Sequence, residues 1–463
     1  MVHVPVTPGR RLELIMKSFR RLVCTTLALG VGVTGLLTST PAPARAETVP
    51  PAKVLGGSFA DPDVMKVGDT YWAYATNAGG KNVPTASAPS LAGPWTRQST
   101  DAMPTRPSWV KQTGGWHWAP EVFQLGSTYV MYYTARSAVH DRQCIGMATS
   151  SKPQGPFTDD SGKAMICHPD EGGDIDAASY TEGGKRYILY KSDANAIGKP
   201  PTLFLQEVSA RNGRSLVGSR VALLRNDRAE ESGVIEAPTL VKRQGRYVLF
   251  YSAGYYGKNE DGISPYFTSY ATSTTLKGTY TKAYRPLVTR ASTDKVMNGP
   301  GGQDVVTGAD GDHLILHGHT TEGRSMYQAA LGWINGYPVV RGSRVRYEAE
   351  NGVLNDASVR SEAGASQGKV VGKIDNADSS VTLSVYAPRA GKYNVHVRFA
   401  AGYGDATHKV FVNDTQQGTA NYPNGAWSSW RTTTVPVTLT EGVNKIKFVK
   451  GKAWAELDQI EVA

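Results

Sequence analysis

Apolar and polar residues alternate along most of the chain in short runs closed by turn residues. Alternating runs of about four to eight residues predict strands. One run recurs, a glycine turn followed by an aromatic-rich strand. Its copies are Gly68-Asp69-Thr70-Tyr71-Trp72-Ala73-Tyr74, Gly126-Ser127-Thr128-Tyr129-Val130-Met131-Tyr132, Gly184-Lys185-Arg186-Tyr187-Ile188-Leu189-Tyr190 and Gly245-Arg246-Tyr247-Val248-Leu249-Phe250-Tyr251. A weaker fifth copy is Gly311-Asp312-His313-Leu314-Ile315-Leu316-His317, and the glycines lie 58, 58, 61 and 66 residues apart. A second motif keeps the same phase, ending in Gly93-Pro94-Trp95, Gly155-Pro156-Phe157 and Gly278-Thr279-Tyr280. Repeats of about 60 residues made of short strands predict a β-propeller, here with five blades.

The pattern stops near Pro338. Beyond it, runs such as Ser380-Val381-Thr382-Leu383-Ser384-Val385 and Tyr393-Asn394-Val395-His396-Val397 alternate strictly, with turns between them. They predict a β-sandwich. The fold class is therefore all-β, with a propeller over residues 50–343 and a sandwich over 345–463. No long linker separates them, so the two are expected to pack together.

Residues 1–46 have a different pattern. Arg20 and Arg21 precede an apolar stretch over 22–37, and Ala44-Arg45-Ala46 gives the small-x-small site of a signal peptidase. The reading is a signal peptide, with an uncleaved anchor as the alternative and Met16 as a possible second start. A secreted protein follows, with no membrane partner after cleavage.

Composition then changes the picture in one respect. The chain holds 50 Lys+Arg against 40 Asp+Glu, a formal +10 that suggests a nucleic-acid binder. Residues 1–46 contain six basic residues and one acid, so the remainder carries +5, without a basic cluster. No nucleic-acid partner is expected, and the protein is expected to be a monomer. Cys24 leaves with the signal. Cys144 and Cys167 remain, as a disulfide or as two buried thiols.

The residues just before each repeated strand are the ones a propeller turns toward its central channel. They carry acids: Ala60-Asp61-Pro62-Asp63, Trp118-Ala119-Pro120-Glu121, Gly173-Asp174-Ile175-Asp176, Val234-Ile235-Glu236-Ala237-Pro238 and Gly301-Gly302-Gln303-Asp304. A buried charge is costly without a purpose. Acids converging on one channel point to a metal site or to paired-carboxylate chemistry, and Ca²⁺ is the metal an oxygen-only cluster takes. Glu121 reads as a structural or rim residue. Asp63 and Asp174 compete with Asp61 and Asp176, because residues two apart on a strand share a face.

These motifs resemble glycoside hydrolase family 43, over about residues 55–340. The resemblance implies a glycosidase that inverts the anomeric centre, with Asp61 as general base, Asp176 as the residue that orients and tunes the acid, and Glu236 as general acid. It implies a polysaccharide or oligosaccharide substrate of plant type and no cofactor for catalysis. Arabinofuranosidase or arabinan-type activity is favoured, with β-xylosidase, galactan-type activity or a non-catalytic carbohydrate-binding propeller as alternatives. Trp118 aligns with Glu236 and is expected to stack on sugar, with core packing as the alternative. His317 falls where the family has a central histidine, which holds channel water or helps bind a channel Ca²⁺. The loops over 77–84 and 255–265 are expected to set the substrate.

The C-terminal segment opens with Tyr347-Glu348-Ala349-Glu350 and closes with Glu456-Leu457-Asp458-Gln459. It resembles carbohydrate-binding modules of families 35 and 6, which implies a jelly-roll sandwich and a structural Ca²⁺ at Glu348, Glu350 and Asp458. Tyr403, Trp427 and Trp454 lie among small and polar residues, where flat rings can stack on sugar faces.

Overall fold

The computed structural model describes residues 51–463 except Tyr284, Asn335, Pro388 and Arg389. The signal peptide read over residues 1–46 lies outside them. Among the described residues no helix is long and apolar enough to cross a membrane.

Five antiparallel sheets form the blades of the propeller, and their order follows the chain. The inner strands are Asp63–Val67, Trp118–Leu125, Asp174–Glu182, Ile235–Arg243 and Gly301–Gly308. Each turns back through a two-residue hairpin into a second strand, as Val67 pairs with Thr70 and Arg243 with Arg246. The second strands are the apolar ones, and nearly every residue of Thr128–Arg136 and Arg246–Ala253 is buried. The aromatic that follows each glycine turn of the second motif folds back into its blade: Trp95, Phe157 and Tyr280 are all buried. The fifth blade is completed from both ends of the repeat. Ala52–Leu55 and Tyr337–Val340 both pair with Gly323–Ile334, so the first described strand closes the ring.

The register corrects the sequence alignment in two blades. In blade three the hairpin loop is Gly183-Gly184, so Arg186, and not Tyr187, stands where Tyr71, Tyr129 and Tyr247 stand. In blade five the loop precedes Gly311, which pairs with Gly308. Glycine spacing marks a turn but not which of its residues is glycine.

The sandwich has two sheets. One orders Ser358–Ser361, Lys369–Gly372, Glu456–Val462, Gly391–Ala400 and Arg431–Leu439, with Val345–Glu348 added beside Glu456–Val462. The other orders Val353–Asn355, Ser380–Ala387, Gly442–Lys450, Ala406–Val412 and Thr415–Tyr422. Alternate residues such as Val395, Val397 and Phe399 from one sheet and Val381, Leu383 and Phe448 from the other fill the space between them. The two regions touch: the Arg285 guanidinium, from the propeller, donates to Glu348 Oε1 at 3.3 Å and to Ser366 Oγ at 2.7 Å.

Candidate active site

Each inner strand enters its blade through the same distortion. Asp61, Ala119, Asp176, Ala237 and Gly302 all have left-handed φ, between 39° and 57°. In blades two to five the register slips at this point, as between Glu236 and Thr239. Four of the five residues are not glycine, and a side chain in this conformation costs on the order of 1 kcal/mol or more. The repeated strain marks the ring as functional. Only glycine fits in blade five, because a Cβ on Gly302 would lie 2.5 Å from Asp61 Oδ1 and 2.7 Å from His317 Nδ1.

The bulge separates two rings of acids that a regular strand would place on one face. Asp61, Asp176 and Glu236 belong to the first ring. Asp63, Glu121 and Asp304 belong to the second, two residues past the left-handed position of their blades. These three line one narrow cavity of about 40 Å³ with Asp61, Asp176 and Glu236's neighbours Ala237 and Pro238.

Asp61 is surrounded by partners for a negative charge. Thr76 Oγ1 donates to Oδ2 at 2.5 Å and Arg324 lies 3.3 Å from Oδ1. Burial pushes its carboxyl up, but the Arg324 guanidinium and the Thr76 hydroxyl hold it well below the usual carboxylate range. Asp176 differs. Burial, and then the charge of Glu236, push it up to about 8 against the pull of Lys191 and the Ala237 N–H. That N–H donates to Asp176 Oδ2 at 2.9 Å. Glu236 is held at both oxygens: the Tyr266 hydroxyl donates to Oε1 at 2.7 Å and Lys191 Nζ to Oε2 at 2.8 Å. Burial, then Glu236, Asp61 and Asp176, push the Tyr266 hydroxyl well up, so all three acids act on one group.

The second ring has no cations of this kind. Asp63 Oδ2 accepts the Val122 N–H at 2.9 Å, Glu121 Oε1 the Ser179 N–H at 2.8 Å and Asp304 Oδ2 the Val64 N–H at 3.0 Å. Each acid therefore ties its blade to the next. Burial and the neighbouring acids raise Asp63 well above its ordinary range, and burial with Asp304 brings Glu121 up to about 7. Asp174 is also occupied elsewhere, at 2.9 Å from His168 Nδ1.

The other expected residues are placed as follows. Trp118 is half-buried and stacks on Trp116 at 6.3 Å. His317 is fully buried, stacks on Tyr266 at 5.8 Å, and accepts the Asp61 N–H through Nδ1 at 3.2 Å. In the tautomer this contact requires, Nε2 carries a proton and has no partner. It can donate to a water or sugar oxygen. Cys144 and Cys167 are bonded to each other.

In the sandwich, Tyr403 and Trp427 meet edge to face at 5.3 Å, and Tyr403 is largely exposed. Lys450 lies over the exposed Trp454 ring at 5.0 Å. Glu348 and Glu350 each leave a buried Oε2 without a partner, the kind of hard oxygen Ca²⁺ takes. Asp458 is engaged by the Arg398 guanidinium and by the Ser366 N–H at 2.8 Å. Among the described residues no three His, Cys, Asp or Glu side chains are grouped to hold a metal.

Sequence reading missed Lys191, Tyr266, Arg324 and Thr76. They lie on or beside the second and third strands, where only the lysine, inside the buried run Tyr187-Ile188-Leu189-Tyr190-Lys191, stands out as a charge without an evident partner.

Comparison with known proteins agrees with this geometry. Residues 52–335 match the model of glycosyl hydrolases family 43, and residues 345–463 match that of carbohydrate binding module family 35. The chain is 27% identical over 290 residues to a probable arabinan endo-1,5-alpha-L-arabinosidase A of Aspergillus flavus, covering 59% of this chain and 86% of that protein. It is 25% identical over 330 residues to the extracellular endo-alpha-(1->5)-L-arabinanase 1 of Bacillus subtilis, covering 66% and 93%. A solved thermostable family-43 glycoside hydrolase superposes with a TM-score of 0.52 at 25% identity, covering 62% of this chain and 94% of its own.

Proposed function

We propose that this chain, which belongs to glycosyl hydrolases family 43, cleaves α-L-arabinofuranosyl linkages of arabinan with inversion, outside the cell. The observation that carries the reading is the unequal treatment of the first ring. Asp61 is held ionised by Arg324 and Thr76, and Glu236 has both oxygens oriented. Asp61 takes a proton from water as that water attacks the anomeric carbon. The glycosidic C–O bond breaks with its electron pair going to oxygen, and Glu236 gives that oxygen a proton. Inversion requires the two carboxyls to stand about 6.5–9.5 Å apart, with room for the water. Asp176, anchored by the Ala237 N–H, orients and tunes the acid.

The arabinan-degrading relatives support the substrate. The signal-like residues 1–46 and the extracellular relative support secretion. In the sandwich, the Tyr403 and Trp427 rings would hold polysaccharide. Glu348 and Glu350 would supply the ligands of a structural Ca²⁺, which would brace the opening strand.

Sugar release from arabinan, arabinoxylan and galactan, with the anomer followed by NMR, tests the reading. Wild type is expected to release arabinose or arabino-oligosaccharides with inverted configuration, and Glu236→Ala to lose this activity. A retained anomer, or an unaffected Glu236→Ala, would overturn it.

A further inference from the structure

Four of the five blade junctions repeat one hydrogen bond. The N–H of the left-handed residue is capped from the second strand of the preceding blade or just past its end: Ala119 N–H by Thr76 Oγ1 at 3.0 Å, Asp176 N–H by Thr134 Oγ1 at 3.1 Å, Gly302 N–H by Ser252 Oγ at 2.9 Å and Asp61 N–H by His317 Nδ1 at 3.2 Å. Strand register puts Lys191 at the corresponding place in blade three. It faces Ile175 as Thr134 faces Trp118, Ser252 faces Glu236 and His317 faces Gly301. An ammonium has no lone pair to offer. The Ala237 N–H goes to Asp176 instead, and Lys191 reaches over to Glu236. Blade three therefore gives up the shared capping bond for a buried cation beside the acid.

Lys191 has a second carboxylate within reach, Asp193 Oδ1 at 3.4 Å. The groups facing this cluster are Asp176 and Tyr266 on the channel side, with Asp61 and its partner Arg324 beyond them. Asp174, bound to His168, lies behind Asp193. We propose that Lys191 is a positioning residue for Glu236, and that its ammonium leans between Glu236 and Asp193 as the acid loses and regains its proton. When Glu236 is protonated, Asp193 takes the ammonium and the acid's O–H is free for the glycosidic oxygen. As the proton passes to the leaving group, a carboxylate forms in a half-buried site, and Lys191 closes on it. The inference rests on Glu236 being the acid.

The test is the pH profile of kcat/KM for the full chain on an arabino-oligosaccharide, and on 4-nitrophenyl α-L-arabinofuranoside, whose leaving group needs little acid help. Lys191→Met removes the cation, so the acid holds its proton longer. The alkaline limb should move up by about one pH unit or more, with kcat reduced mainly on the oligosaccharide. Asp193→Asn leaves Lys191 wholly to Glu236, and the limb should move down. Lys191→Arg should keep it near that of wild type. An unmoved limb in Lys191→Met, or limbs moving the same way in both charge variants, would overturn the proposal, provided the variants melt like wild type. If Lys191→Met does not fold, Asp193→Asn decides, and an unmoved or raised limb overturns. Full activity of Glu236→Ala on the oligosaccharide would separately remove the acid assignment beneath the inference.

Discussion

Two sets of carboxylates, one from blades one, three and four and the other from blades one, two and five, are held in different ways. The first ring, Asp61, Asp176 and Glu236, is supplied with partners of unlike kind: a guanidinium and a hydroxyl for Asp61, a backbone N–H for Asp176, an ammonium and a phenol for Glu236. The second, Asp63, Glu121 and Asp304, is supplied with backbone N–H groups of the next blade and with other acids. The residue types are the same. The partners decide that one ring holds a carboxyl lowered at Asp61 beside one raised at Asp176, while the other ties blades together.

The comparison breaks most visibly if the rings are exchanged. Asp61→Asn removes the base and should cost about 10³-fold or more in kcat on arabinan, with the fold kept. Asp63→Asn, two residues away, keeps an acceptor for the Val122 N–H and should leave kcat within about threefold, as expected of a group that does not touch the reaction. Steady-state kinetics on both variants, with circular dichroism to check folding, decides this. Similar losses in the two would erase the distinction.

A smaller effect sharpens it. A carboxyl raised above its ordinary value binds its proton in the folded chain. Its contribution to stability is complete below about pH 4 and fades as pH rises through the range near 7 to which Glu121 is pushed. Asp63→Asn supplies a permanent donor to Glu121 in place of that proton. Melting should rise by about 2–4 °C at pH 8 for each kcal/mol recovered and change little at pH 4. Thermal melts at the two pH values measure the difference.

Much of this was legible in the sequence because repetition is visible in a single chain. The glycine turns and aromatic strands predicted five blades, and alternation past residue 345 predicted the sandwich. The motifs named Asp61, Asp176 and Glu236, and the structure brings these three to one channel. The bulge was not legible. Asp63 and Asp174 competed with their neighbours because a regular strand has period two, and one left-handed residue breaks that period. The partners were hidden for another reason. Arg324 reaches Asp61 from 263 residues away, a pairing that only the closed ring of blades makes, and Tyr266 reaches Glu236 from 30 residues away across blade four. Lys191 could have been suspected, as a charge inside an apolar strand, but its partner could not.

Protonation can be seen directly. Neutron diffraction from deuterium-exchanged crystals at about pH 6 would locate the deuterons in both rings. The account predicts none on Asp61, one on Asp176, three on Lys191 Nζ, and one between Asp63 and Glu121. A deuteron on Asp61, or an Asp176 carboxyl without one, would contradict it.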